Sequence, residues 1–286
     1  MLERRGPVKT FFSYLALVIW SSVVLVPLLW TLTTAFKNPI DVYRGPKYIP
    51  GIDFQGTFDN WKYFLIDQWQ FFSAQYFNSI TVAIFSSLLC ITIGSLAAYG
   101  LARFSYQFGK IENKDIAFWF ISQKILPPVV VVIPLYVMFQ WLHIHDTKFG
   151  LVIAYAAFNL PFAVWLMRDY FLGIPAELEE SALIDGCSRI EAFIRITLPL
   201  SAPGLVATFL FVLVFAWNEY IVALFLTQTL ASQTMPILVA GQNAQRGPQW
   251  WGISVLTLVT IAPVTVIAVF LERYISKGLL VGAVKG

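Results

Sequence analysis

The sequence is poor in the residues that most chemistry needs. Its 286 residues include two cysteines, two histidines and four methionines, and only 12% are charged. Cys90 sits in an apolar run and Cys187 in a polar stretch, so the pair cannot form a disulfide framework. His143 and His145 alternate beside Asp146, but no third ligand follows at matched spacing, which argues against a metal site. A phosphate loop of the form G-x-x-x-x-G-K followed by Ser or Thr is missing. The nearest fragment, Gly109-Lys110, runs on into Ile111, so ATP is not bound by that route. A G-x-S-x-G elbow and an H-E-x-x-H helix are also missing. Catalysis has no footing here, and no cofactor is expected in the chain. A net charge of +3, with scattered basic residues, offers nucleic acid no patch.

What the sequence has in abundance is apolar surface. Hydrophobic residues make up 58% of it, and mean hydropathy is +0.71. The charged content lies well below the roughly one quarter typical of soluble domains. The apolar residues fall into six runs, about 11–36, 77–103, 116–141, 149–171, 205–228 and 252–271, each long enough to cross the roughly 30 Å of a bilayer core. The expected fold is an all-α integral membrane protein with six transmembrane helices: a short N-terminal segment, 1–10, and one transmembrane domain, 11–286. The first run follows Arg4, Arg5 and Lys9 as a signal peptide would. It is too long for a cleaved apolar segment and lacks a small-residue cleavage site, so it is read as a retained span. Residues 58–76 mix Trp61, Tyr63, Phe64 and Trp69 with Asp59, Lys62 and Asp67, the composition of a helix lying in the membrane interface or of a surface for a soluble binding protein.

Six spans put both termini on one side, and basic residues decide which side that is. The termini and the polar stretch 173–204 share a side with twelve Lys and Arg: Arg4, Arg5, Lys9, Arg103, Lys110, Lys114, Arg168, Arg189, Arg195, Arg273, Lys277 and Lys285. The other side has six, Lys37, Arg44, Lys47, Lys62, Lys148 and Arg246. The termini and the 173–204 stretch are therefore expected in the cytosol.

That stretch, from Gly173 to Gly204, carries more helix grammar than a connector needs. Pro175 suits a first helical turn, and Glu177, Glu179 and Glu180 suit the positive end of its dipole. Gly186 then stops the helix. Ser188 with Glu191 forms a capping box that starts a second helix ending near Pro199. Leu178, Ala182 and Leu183 on the first arm, and Ile190, Phe193, Ile194 and Ile196 on the second, give an apolar face that the loop cannot bury alone. Such a face calls for a docked partner, or for packing on the membrane domain itself.

Glu180-Ser181-Ala182, Asp185-Gly186, Phe193 and Leu198-Pro199 together resemble the "EAA" loop of the membrane subunits of bacterial ABC importers. Ser181 and Cys187 stand where that family commonly has Ala; both are small. Asn78-Ser79, Trp217-Asn218-Glu219-Tyr220, Gly278-Leu279 and the 282–286 terminus extend the likeness to the carbohydrate-uptake branch. The resemblance implies a MetI-like ABC importer permease fold in the bacterial inner membrane, with the 173–204 segment as a cytosolic coupling loop. Its residues Glu180, Ser181, Ala182, Asp185, Gly186, Phe193, Leu198 and Pro199 would meet a separate ATPase. It also implies a second permease subunit, two ATPase copies that hold the ATP and Mg, an extracytoplasmic substrate-binding protein, and a C-terminal segment reaching the ATPases.

The apolar runs contain polar residues that need a reason. Lys124 lies inside the third, where a lipid-facing charge costs roughly 2.5–3.5 kcal/mol, so a bundle interior or a wet cavity is expected. Gln123 precedes it, and Pro127-Pro128 break the helical ladder after it. Asn159 before Pro161, and Trp217, Asn218, Glu219 and Tyr220, are the counterparts in the fourth and fifth runs. Amide, charge and aromatic groups together suit a sugar's hydroxyls and C–H faces, which makes these seven residues a candidate translocation path. Equally, Lys124 and Glu219 could pair or satisfy backbone groups within the bundle. An ion-coupled secondary transporter would use both charges without an ATPase. It would ordinarily show an inverted repeat, and none is visible between 1–140 and 141–286. A scaffold without transport would leave the charges unexplained.

Overall fold

A computed structural model describes residues 7–244 and 247–283 of the protein. The N-terminal Arg4 and Arg5, Arg246 and the terminal 284–286 lie outside them. The chain divides into two compact units, one built from the chain up to Phe72 with Val239–Ile261, the other from Ser73–Leu238 with the chain from Ala262 on.

In the first unit, helix α1 (Pro7–Thr34) holds the apolar stretch Thr10–Thr34, within which an 18-residue window has mean hydropathy 2.2 and no buried residue. At 1.5 Å per residue it outspans a bilayer core, and its exposed apolar side chains demand lipid or another membrane helix. Past its end, Lys37 is buried, its ammonium over the rings of Trp30 and Phe54 at 5.6 and 5.3 Å and donating to the Thr34 hydroxyl at 3.3 Å. Asn60 ties the next segment down by donating to the Ala35 and Lys37 carbonyls.

Residues 58–76 are not one interfacial helix. A single turn, Asp59–Lys62, passes into a π-turn, Tyr63–Asp67, and α2 (Trp69–Arg103) begins at once. Neither Gly nor Pro stands between Trp69 and Gly94 to interrupt it, so the aromatic residues from Trp69 on form the first turns of the second span.

The third run is not a straight span. α3 (Asn113–Ser122) ends in a 3₁₀ turn to Ile125, and α4 (Pro128–Trp141) leaves at 91°. Leu126 is extended, with ψ 124°, as a residue before proline prefers, and Pro127 has no N–H to continue the ladder. α5 (Lys148–Leu172) is capped by the Thr147 hydroxyl, which accepts from Gly150 N–H at 3.0 Å.

After the polar stretch, α8 (Ala202–Trp217) meets the preceding helical segment at 77° and stops at Asn218; α9 (Ile221–Leu226) is separate, so the fifth run is interrupted too. A short helix, α10 (Met235–Gly241), precedes α11 (Trp250–Ala283), which begins near the expected start but continues well past 271. Four helices are long and apolar enough to cross a membrane, or six spans if each bent pair counts as one, among the described residues. Between α5 and α8 lie α6 (Glu177–Ile184) and α7 (Arg189–Leu200).

The core of the second unit lies where α5, α8, α9 and α4 converge on Phe139, Leu151, Tyr155, Trp217 and Leu226. Gly94 lets α2 come close to α5: a Cβ there would sit 2.9 Å from the Ala163 Cβ. Small residues allow such helix approach in membranes. At the α4–α5 turn, the Asp146 carboxylate accepts from the Gln228 and Thr229 N–H groups at 2.7 and 3.0 Å, from the Thr229 hydroxyl at 2.8 Å and from the Ser232 hydroxyl. Burial raises its pKa, but these hydrogen bonds outweigh burial and bring it down to about 2. Asn78 donates to the Leu230 and Gln233 carbonyls, and the Ser79 hydroxyl accepts from Met235 N–H, so the same connection is also held from α2.

Candidate functional site

The polar stretch folds as a helix, a bend and a second helical segment. α6 (Glu177–Ile184) ends in a Schellman arrangement: Cys187 N–H bonds the Ala182 carbonyl at 3.0 Å and Gly186 N–H the Leu183 carbonyl at 3.1 Å. Gly186 has φ +90°, with open space where a Cβ would project, so conformation and not room requires glycine. α7 (Arg189–Leu200) then starts from a capping box, Ser188 N–H to Glu191 at 2.9 Å and Glu191 N–H to the Ser188 hydroxyl at 3.3 Å. A π-turn over Phe193–Thr197 interrupts it. Phe193 is buried against Tyr99 and Phe171, with ring centroids 4.5 and 6.0 Å away.

The apolar face is divided differently from the expectation. Ala182 and Phe193 pack into the chain's own core, and Leu183 and Ile196 are half-buried. Leu178, Ile184, Ile190 and Ile194 stay outside, Ile184 at 86% and Ile190 at 71% exposure. Glu180, Ser181, Asp185 and Pro199 are exposed beside them, and Leu198 is half-buried. The inward face thus builds the loop while the outward face remains available.

In the sequence, Glu179 shows no role beyond helix-dipole placement. It is 6% exposed, and its carboxylate accepts from Arg103 Nε at 2.7 Å, the Thr197 hydroxyl at 2.6 Å and the Tyr99 hydroxyl at 2.8 Å. Arg103 also donates to the Ile174 carbonyl at 3.0 Å. Burial raises the Glu179 pKa, but the hydrogen bonds from Thr197, Arg103 and Tyr99 prevail and keep it below the usual carboxylate range. Its helix period would have placed it opposite the exposed Ser181 and Asp185; its partners, 76 and 80 residues upstream, gave no local signal.

The candidate path residues separate into two groups. Lys124 Nζ donates to Asn159 Oδ1 at 3.2 Å and lies 5.9 Å from the Phe215 ring centre; Asn159 Nδ2 donates to the Tyr155 carbonyl at 2.9 Å. Gln123, beside Lys124, donates to the Trp119 carbonyl. Phe162 stacks edge-on against Phe215 at 5.5 Å, adding a second ring to this cluster. The second group serves the fold. Trp217 is buried in the core with Tyr76 against it, Asn218 Nδ2 bonds the Val214 carbonyl, and Glu219 accepts from Val222 N–H at 3.0 Å to cap α9. Tyr220 is half-buried at the start of α9. Lys124 and Glu219 form no ion pair with each other among the described residues.

The chain matches the family model described as "Binding-protein-dependent transport system inner membrane component" over residues 91–281. It is 34% identical to a probable ABC transporter permease protein, y4oR, of Sinorhizobium fredii over 92% of this chain and 91% of that one. It is 29% identical to the trehalose/maltose transport system permease protein MalG of Thermococcus litoralis over 99% of each. It is also 31% identical to the trehalose transport system permease protein SugB of Mycobacterium tuberculosis, over 92% and 93%. Among solved structures, a bacterial ABC transporter involved in import of the acidic polysaccharide alginate has the same fold, with TM-score 0.73 and 20% identity over 96% of this chain and 99% of that one. The MetNI methionine ABC transporter aligns with TM-score 0.58 and 14% identity over 77% and 99%. The chain belongs to the family of inner-membrane permease components of binding-protein-dependent ABC importers.

Proposed function

We propose that this chain is one of two permease subunits of an ATP-driven importer of sugars or related polyols and glycosides, and that its 173–204 loop seats a separate ATPase. Two ATPase copies supply hydrolysis, a second permease completes the path, and an extracytoplasmic binding protein delivers the substrate. The loop and both termini face the cytosol in a six-span arrangement in which α3 with α4 makes the third span and α8 with α9 the fifth.

The observation that carries the reading is the loop's two-sidedness. Its inner face is fixed by the Glu179 network and by Phe193, while Ile184, Ile190 and Ile194 stand out into solvent on a rigid helix-bend-helix. A solvent-side apolar patch on a well-held element is a docking surface. Relatives named for trehalose and maltose support the sugar class. The Lys124 and Asn159 pair beside Phe215 supplies polar and aromatic groups compatible with it.

Uptake of a panel of radiolabelled disaccharides into membrane vesicles of the native host tests this reading. Uptake that vanadate abolishes and a protonophore leaves intact supports it. Uptake that collapses with the proton gradient and ignores vanadate would assign an ion-coupled transporter instead.

A further inference from the structure

We propose that Glu179 is a positioning residue that fastens both arms of the loop to the end of α2, so that movement imposed on the loop is handed directly to that helix. By covalent connection alone, the loop is joined only to α5 and α8. The side-chain network adds a third attachment. One buried carboxylate on the first arm takes hydrogen bonds from Tyr99 and Arg103 of α2 and from Thr197 of the second arm. Arg103 reaches further, to the Ile174 carbonyl where the loop leaves α5.

Packing around the network points the same way. The Tyr99 ring lies against Phe193 of the second arm and edge-on to Phe171 of α5, and the Arg189 guanidinium sits 5.2 Å from the Phe104 ring centre just beyond α2. The loop therefore cannot slide over α2 without separating a buried carboxylate from a buried guanidinium, whose desolvation is compensated only while they stay together. Gly94 then brings α2 close to α5, so displacement of α2 carries into the bundle. Glu180, one residue on, faces solvent and takes no part in the lock.

The proposal rests on the importer reading, and its test separates the two. Spin labels are attached at Glu177, on the first arm but outside the proposed docking face, and at Leu96, both exposed, in a chain with Cys90→Ala and Cys187→Ala, purified with whatever assembles on it. The distance between the labels is measured without nucleotide and after trapping with ATP and vanadate. The wild-type distance is expected to be the same in both states, whereas Glu179→Gln lets it shift on trapping. A wild-type shift, or an unchanged distance in Glu179→Gln, would overturn the lock. Thr197→Val and Tyr99→Phe, each removing one donor, give the same comparison should Glu179→Gln fail to reach the membrane. Absence of an ATPase from the preparation would sink the importer reading; the lock is then judged by the width of the distance distribution, broader in the variants if it holds and equal if it does not.

Discussion

Lys124 Nζ and Asn159 Oδ1 meet at 3.2 Å between two spans, and the carbonyl of Tyr155 holds the amide so that its oxygen faces the ammonium. Charge-assisted hydrogen bonds of this kind contribute about 1.5–3 kcal/mol. Lys124→Met removes the charge and relieves the roughly 2.5–3.5 kcal/mol that an intramembrane lysine costs on insertion. Normal or higher membrane levels are expected, with sugar uptake into vesicles lowered by about tenfold, the rate equivalent of about 1.4 kcal/mol. Full uptake by this variant would confine Lys124 to a role in packing.

Gly186 adopts φ +90° with nothing near its missing side chain. A substituent would therefore be penalised by backbone conformation and not by collision. Gly186→Ala should cost roughly 1–2 kcal/mol, the usual penalty for an L-residue in the left-handed region, read as a lower midpoint in thermal unfolding. Gly186→Pro cannot hold the bend at all, because proline fixes φ near −65°. That variant is expected to insert in the membrane and to hydrolyse ATP without importing; normal uptake at normal expression would contradict the docking model.

Asp146 anchors the Gln228–Ser232 connection through two backbone and two hydroxyl donors. Its pKa falls from 3.8 to about 2 on folding. A carboxylate with a depressed folded pKa stabilises the protein fully above its unfolded value and loses that contribution as pH falls toward the folded one. The thermal-midpoint gap between wild type and Asp146→Ala should thus be constant from neutral pH down to about 5 and shrink below 3.8. A gap that stays constant to pH 3 would show that the carboxylate charge is not what holds the turn.

Gly94 faces Ala163 so closely that a Cβ would lie 2.9 Å from the Ala163 Cβ. Gly94→Val must push α2 and α5 apart, with an expected cost of about 1–3 kcal/mol from overpacking. Shortening the partner cannot relieve all of it, since the Ala163 carbonyl carbon and the Val164 nitrogen are also within 3.5 Å of that point. Thermal unfolding of Gly94→Val and Gly94→Val/Ala163→Gly measures both parts.

The features legible in the sequence were those encoded locally. The loop's bend at Gly186 and its Ser188–Glu191 capping box are signals between residues three or fewer apart, and both occur in the structure. Apolar runs located the membrane helices but not their interruptions. Hydropathy counts side chains, whereas the 91° turn at Leu126-Pro127 is a property of backbone donors and pre-proline sterics. Pro127 marks a ladder break in the sequence, but not the 91° angle at which α4 leaves. For Glu219 the sequence leaves open a path or the satisfying of backbone groups, and in the structure it accepts from Val222 N–H at the start of α9, where α8 has just ended. Glu179 was hidden because its meaning depends on Tyr99 and Arg103, which only the tertiary fold brings to it.

The proposed function turns on the outward face of the 173–204 loop seating an ATPase. The most direct test is affinity purification of the tagged chain from mildly solubilised native membranes, comparing wild type with a Glu180→Lys/Gly186→Pro variant. An ATPase and a second permease are expected to accompany the wild type, and the ATPase alone to be lost from the variant. A wild-type chain that purifies with no ATPase, or a variant that keeps it, would rule out the loop as the ATPase's seat.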